Sequence, residues 1–236
     1  MSNSAQKSYD YATADFNAVY RGGELLGDAG ITRVPWDIGE PQPGVLEFER
    51  RGRIRGEVLD AGCGLGDNAV FLAARGYRVT AVDAASTAIE RARERAAKQE
   101  GATEIEFAVA DATSLAGYEG RFDTVLDSAL FHTLDADGRR RYAAALGRAA
   151  RPGAWLDMLC FAAVPGGMPE PLSVSEETVR EVLTGAGWTV TELTRTVYWG
   201  VAEATRTFLE KTGVQVEIDE AGRTQLPVWS VLAERA

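Results

Sequence analysis

Three glycines, spaced Gly62-x-Gly64-x-Gly66, follow the apolar run Val58-Leu59-Asp60-Ala61 and precede a segment of helical spacing from Asp67 to Ala74. Glycine lets the backbone take positive φ and come close to a ligand, and the N-terminus of a following helix favours negative charge. A second strand-like run, Tyr77 to Val82, ends at Asp83, where a carboxylate can accept hydrogen bonds from ribose hydroxyls. A turn and a carboxylate so arranged suit a nucleoside-bearing cofactor. The glycines are spaced more tightly than the Gly-x-Gly-x-x-Gly of dinucleotide sites, and Asp60 stands just before the turn. Both points argue against a nicotinamide dinucleotide. Asp60 itself has two readings: a contact to the cofactor, or an acceptor for the N–H groups of the turn.

His132 is the one histidine of the chain and thus the candidate for a histidine general base. The alternative is that it packs on the cofactor or bonds locally. Cys63 and Cys160 lie within apolar runs and are too few for a disulfide framework or a zinc site. They read as small buried fillers.

These residues need a scaffold, and the chain alternates strand-like and helix-like segments from about residue 57 to 192. After Asp83, Ser86 can cap a helix running to about Glu100, with Gly101 as its stop. Ile105 to Ala110 is a third strand ending at Asp111, and Phe122 to Leu126 a fourth. Asp135 then caps a helix with Tyr142, Leu146 and Ala149 on one face. Arg151-Pro152-Gly153 breaks it before a fifth strand, Ala154 to Phe161. Ser175 opens another helix that Gly185 and Gly187 close. Thr189 to Trp199 and Pro227 to Leu232 are rich in β-branched and aromatic residues and complete seven strands. The β-then-α order predicts a doubly wound α/β sheet, mostly parallel, with helices on both faces. Residues 1–56 form an N-terminal helical cap, 57–199 the cofactor-binding core, 200–226 an insertion with a helix from Ala202 to Lys211, and 227–236 the last strand. The whole reads as one domain.

The run Leu59-Asp60-Ala61-Gly62-Cys63-Gly64-Leu65-Gly66 resembles the first motif of the class I S-adenosylmethionine-dependent methyltransferases. The resemblance continues through Val82-Asp83, Ala110-Asp111-Ala112, the Phe122 to Leu130 segment and Arg151-Pro152-Gly153, and covers residues 56 to 195 and the final strand. It implies the Rossmann-like methyltransferase sheet with its last strand antiparallel. It implies S-adenosylmethionine as cofactor, with Gly62 and Gly64 at the methionine part, Asp83 at the ribose, Asp111 and Ala112 beside the adenine, and Asp60, Ala84 and Asp127 as further cofactor-binding residues. Phe16, Tyr20 and Pro35-Trp36-Asp37-Ile38-Gly39, with Asp127 to Leu134, look like bacterial relatives of thiopurine methyltransferases. Trp36 would then lie over the cofactor near the sulfonium, or anchor the cap by packing; Tyr20 and Phe16 read as core contacts.

Relatives of that kind methylate sulfur, nitrogen or oxygen on small, often heteroaromatic compounds. The acceptor is expected at the carboxyl ends of the strands, walled by Phe131, Phe161, Met168, Tyr198 and Trp199, with residues 200–226 as a lid. The segment after the fourth strand lacks the Asn/Asp-Pro-Pro-aromatic motif of enzymes that methylate exocyclic base amines or glutamine. No Asp-Asn pair follows the fifth strand, so no metal is expected. A non-methylating rearrangement or cyclisation, or a regulator that binds the cofactor without turnover, stays open from sequence.

The formal net charge of −10 and the scattered basic residues argue against nucleic acid as a partner. Arg91 to Arg95, interleaved with Glu90 and Glu94, read as a solvated helix face with i,i+4 pairs. The polar start of the chain and the lack of a long apolar run point to a cytoplasmic protein, monomeric or weakly dimeric, without a membrane span.

Overall fold

The computed structural model describes residues 9–10, 13–99 and 104–236. The helix stop expected at Gly101 and most of the polar N-terminal stretch lie outside these. Among the described residues, no helix is long and apolar enough to cross a membrane.

Five strands run parallel: β1 (Glu57–Ala61), β2 (Arg78–Asp83), β3 (Glu106–Val109), β4 (Phe122–Ser128) and β5 (Ala150–Phe161). The long β6 (Trp188–Val201) and β8 (Arg223–Arg235) pair antiparallel, and β8 lies antiparallel to β5 as well. The sheet order is therefore β3-β2-β1-β4-β5-β8-β6, with a two-residue β7 (Glu217–Ile218) beside β8. This is the expected Rossmann-like methyltransferase sheet with its last strand antiparallel, and β7 is an addition. The order reverses between β1 and β4, where open α/β sheets bind their ligands.

Both faces of the central strands β1, β2 and β4 are covered, which is why these strands are mostly buried and read as largely apolar runs. Leu59, Val125 and Leu156 pack under α5 (Ala136–Ala149) and α6 (Glu176–Gly185) on one face. Val58, Leu126 and Leu232 meet α2 (Pro43–Arg50), α3 (Asp67–Ala73) and α4 (Ser86–Ala96) on the other. Asp135 accepts the Gly138 N–H and Ser175 the Thr178 N–H, so both expected N-caps form. At α4 the capping position is Ala85 rather than Ser86, and its N–H is taken by Asp83.

Two boundaries move. β5 begins at Ala150, because a register shift between Phe122 and Thr124 lets Arg151-Pro152-Gly153 bulge without leaving the sheet. β6 and β8 each run further than their apolar cores, so the insertion shrinks to α7 (Ala202–Thr212), β7 and their turns.

The cap carries the short α1 (Phe16–Val19) and wraps over the carboxyl ends of the strands. Its Val19, Tyr20, Leu25 and Ile31 form a third apolar cluster with Leu65, Ala88 and Phe208 of α7. Lys211 of α7 also reaches the Asp28 carbonyl. On the outer edge of β6, Gln42 donates to the Trp199 carbonyl (2.9 Å) and accepts its N–H (3.0 Å). Val201 N–H continues the line by donating to the Pro35 carbonyl at 2.7 Å.

Candidate active site

The glycine turn is fixed by its neighbours on both sides. Gly62 and Cys63 donate their N–H groups to the Val82 carbonyl at 2.8 and 2.9 Å. Asp83 receives the Gly64 N–H on Oδ2 (2.9 Å) and the Ala85 N–H on Oδ1 (2.8 Å), bridging the turns that leave β1 and β2. Burial pushes this carboxyl up, opposed by those two N–H bonds. Gly62 and Gly64 have φ of +75° and +52°. A Cβ on Gly64 would stand 3.0 Å from the Tyr20 hydroxyl and 3.4 Å from Trp36 Nε1, so this close approach needs glycine.

A cavity of about 400 Å3 opens above the turn, at the carboxyl ends of the strands, within the usual range for small-ligand sites. Gly62, Gly64, Asp83, Ala84, Asp111 and Ala112 line one end. Here Asp111 Oδ1 accepts both the N–H and the hydroxyl of Thr113. His132, Phe161, Met168 and Tyr198 line the other end. Trp36 lines the cavity too, donates from Nε1 to the Tyr20 hydroxyl at 3.2 Å, and packs its ring against Phe16 and Tyr20.

Asp60 and Asp127 lie beneath the cavity rather than on its wall. Both are fully buried, and burial is the first cause that raises each to about 7. Neither oxygen of Asp60 has a partner among the described groups, so it does not tie the turn. That leaves an unpartnered acidic group below the glycines. Asp127 accepts from Leu130 N–H (2.7 Å), Phe131 N–H (3.1 Å) and the Tyr142 hydroxyl (3.0 Å). It thereby braces the turn in which Ala129 takes a φ of +83°, a strained value for a residue with a Cβ.

His132 follows in a 3₁₀ turn, Phe131–Thr133. Its ring stacks on Phe161 with centroids 4.0 Å apart, and its Nδ1 accepts the Phe161 N–H at 3.3 Å. Burial first, and then Arg139, lower its pKa to about 3. The imidazole is neutral, its proton on Nε2.

Two expected wall residues lie elsewhere. Phe131 turns into the core against Tyr142, because successive residues of a 3₁₀ turn point about 120° apart. Trp199 faces away from the cavity and carries the Arg223 guanidinium 3.7 Å over its ring, while Tyr198 faces inward. The arginines of α4 do not form the expected i,i+4 pairs. Arg91 donates to the Tyr20 carbonyl, Arg93 to the Phe107 carbonyl, and Arg95 to Asp37 and Asp67. The last triad ties the cap to α3 and α4 beside the cavity.

The cavity wall also includes Tyr20, which reads as a core contact from sequence, Leu25, Leu26 and Ile31 of the cap, which the sequence does not single out, and Phe208 and Leu209 of α7, within the expected lid. Apolar spacing in the cap was the available signal, but it does not say which side of the cap faces inward.

These residues suit the cofactor that the motif resemblance implies. A turn without side chains admits the methionine end, Asp83 and Asp111 offer acceptors to hydroxyl and amino groups, and the rings of Phe16 and Trp36 offer faces to a cation. Among the described residues, no group of three or more His, Cys, Asp or Glu side chains could hold a metal ion.

Residues 58–153 match the family model described as a methyltransferase domain. The chain is 42% identical, over 180 residues, to a 2-heptyl-1-hydroxyquinolin-4(1H)-one methyltransferase of Mycobacteroides abscessus, covering 75% of this chain and 78% of that protein. It is 36% identical, with a TM-score of 0.77, to a solved structure described as "Conversion of a Disulfide Bond into a Thioacetal Group during Echinomycin Biosynthesis", covering 93% of this chain and 90% of the other. A Burkholderia thailandensis 1,6-didemethyltoxoflavin-N1-methyltransferase, solved with 1,6-didemethyltoxoflavin and S-adenosylhomocysteine, is 22% identical with a TM-score of 0.59, over 82% of this chain and 77% of its own, and shares the fold.

Proposed function

Since the chain belongs to the class I S-adenosylmethionine-dependent methyltransferases, we propose that it methylates a sulfur, nitrogen or oxygen of a small heteroaromatic or thiol-containing molecule with substantial apolar surface. The observation that carries this reading is the division of the cavity. Asp83, Asp111 and the glycine turn sit at the end near β1 to β3, and the other end is lined mainly by apolar and aromatic side chains. The hydroxyquinolone acted on by the M. abscessus relative, a ring with a heptyl substituent, is of that shape and polarity.

S-adenosylmethionine bound in the cavity would supply an activated methyl group, transferred by direct displacement at carbon. The chain's part is alignment and exclusion of water. Asp83 holds the Gly64 and Ala85 N–H groups and would hold the ribose. Trp36 and Tyr20 close over the turn, and Phe161, Met168 and Tyr198 would form the acceptor wall. The Leu25–Ile31 stretch and Phe208 roof the space against solvent.

The test is a screen of thiol, phenol and N-heterocycle acceptors with purified protein. It should give S-adenosylhomocysteine and a product heavier by one methylene in equal amounts. Product formed without S-adenosylhomocysteine would replace methyl transfer with a rearrangement or cyclisation.

A further inference from the structure

Methyl transfer to an –OH, –SH or ring N–H acceptor also requires that a proton leave, and the groups around the cavity bear on where it goes. His132 has its Nδ1 engaged by the Phe161 main chain. Its Nε2 already carries the proton, so the ring can donate a hydrogen bond but cannot take a proton without breaking that main-chain contact. The charged and titratable groups near it oppose protonation or have no basic form near neutral pH. Arg139 of α5 donates to the carbonyls of Phe131 and His132, burial pushes the Cys160 thiol of β5 up, and burial raises Tyr198 of β6.

The other acidic groups on the wall are engaged. Asp37 and Asp67 hold Arg95, and Glu40 pairs with Arg223. Asp83, which accepts the Gly64 and Ala85 N–H groups, and Asp111, which accepts that of Thr113, lie at the opposite end of the cavity from His132, where the cofactor would use them. Burial raises Cys63 and Tyr20, so neither is a thiolate or phenolate ready to act as a base.

We infer that the acceptor is an acidic ring hydroxyl or ring thiol that enters the cavity already ionised, and that His132 selects it by donating Nε2–H to the anionic atom or its neighbour. This rests on the methyl-transfer reading above. The step then balances without a protein base. An electron pair of the anionic oxygen or sulfur forms the bond to the methyl carbon, and the carbon–sulfur pair returns to the sulfonium, leaving a neutral thioether and a neutral methylated product. The acceptor's proton has gone to water before binding. Because a cation and an anion become two neutral molecules, a weakly solvating wall of Leu25, Ile31, Phe161, Met168 and Phe208 favours the step.

The experiment is a pH–rate series with hydroxyquinolines and thiophenols whose own pKa values run from about 5 to about 10. The rising limb of kcat/KM should inflect at each acceptor's own pKa and move with it across the series. His132→Phe, which keeps a ring but has no N–H to donate, should keep those inflections and lose roughly 10- to 100-fold in kcat/KM, the loss expected for one hydrogen bond to a charged group. Affinity for S-adenosylhomocysteine by calorimetry should stay unchanged. An inflection fixed at one pH for every acceptor, absent in His132→Phe, would make His132 the base and overturn the inference. The wild-type series decides this even if the variant does not fold. Rates that ignore acceptor pKa would sink this inference alone, whereas no S-adenosylhomocysteine from any acceptor would sink the methyl-transfer reading with it.

Discussion

Replacing Asp83 by Ala separates the two jobs that its geometry implies. Its carboxylate accepts the Gly64 N–H at 2.9 Å and the Ala85 N–H at 2.8 Å and also lines the cavity. Alanine leaves two partly buried N–H groups without an acceptor, each worth about 1 kcal/mol, so stability should fall by about 2 kcal/mol. For a chain of this size that lowers Tm by roughly 4–8 °C. Separately, the lost bonds to ribose hydroxyls are worth about 1.5–3 kcal/mol, or a rise of roughly 10- to 150-fold in Kd for S-adenosylhomocysteine. Asp83→Asn keeps one acceptor oxygen but turns an NH2 toward the second main-chain N–H, and should fall between. Thermal unfolding and calorimetry on both variants read the two effects apart. A folded Asp83→Ala protein with wild-type affinity would refute the cofactor role, and one with wild-type Tm would refute the bracing role.

Other expectations follow from the same coordinates. Phe208 is 2% exposed and belongs to the roof cluster, so Phe208→Ala should cost about 3–5 kcal/mol of stability and raise KM for the acceptor, with little change in cofactor affinity. An unaltered acceptor KM in a folded variant would remove α7 from the acceptor site. Ala129→Gly should relieve the φ of +83° and raise Tm, by about 1 kcal/mol of stability; a lower Tm would mean that the turn is not strained. Asp60, Asp127 and Asp157 are each raised to about 7, chiefly by burial. Between pH ~4 and ~7 the folded state therefore binds more protons than the unfolded chain, and their contribution to stability falls as pH rises through that window. Tm measured from pH 5 to 7.5 should drop less in Asp60→Asn than in wild type, and an equal drop would contradict the shift at Asp60.

The sheet and its glycine turn were legible because their determinants are local. The run from Val58 to Gly66 and the Asp83 that ends β2 bring strand, turn and carboxylate together within two adjacent elements. The acceptor wall was less legible because it depends on orientation. Tyr198 and Trp199 both looked suitable, yet successive strand residues point to opposite faces, so one of them had to leave the cavity. Phe131 and His132 diverge for the analogous reason in a 3₁₀ turn. The cap was the hardest to place: Tyr20 meets Gly64 only after α4 has positioned the loop through Arg91, a contact with no periodic signature.

The paired bonds between Gln42 and Trp199, continued by Pro35 and Val201, have a bearing beyond the cavity. β6 is one of the two outer strands of the sheet, and an open outer strand offers its main-chain groups to any other extended chain, the usual start of aggregation. The Gln42 amide matches the donor and acceptor of a peptide group and fills that position along the edge, with the Pro35 carbonyl filling the next. One segment of the cap thus closes the ligand space and blunts the sticky edge together. Variants that loosen it should lose solubility along with activity, and bound cofactor, by holding the cap down, should protect the protein from self-association.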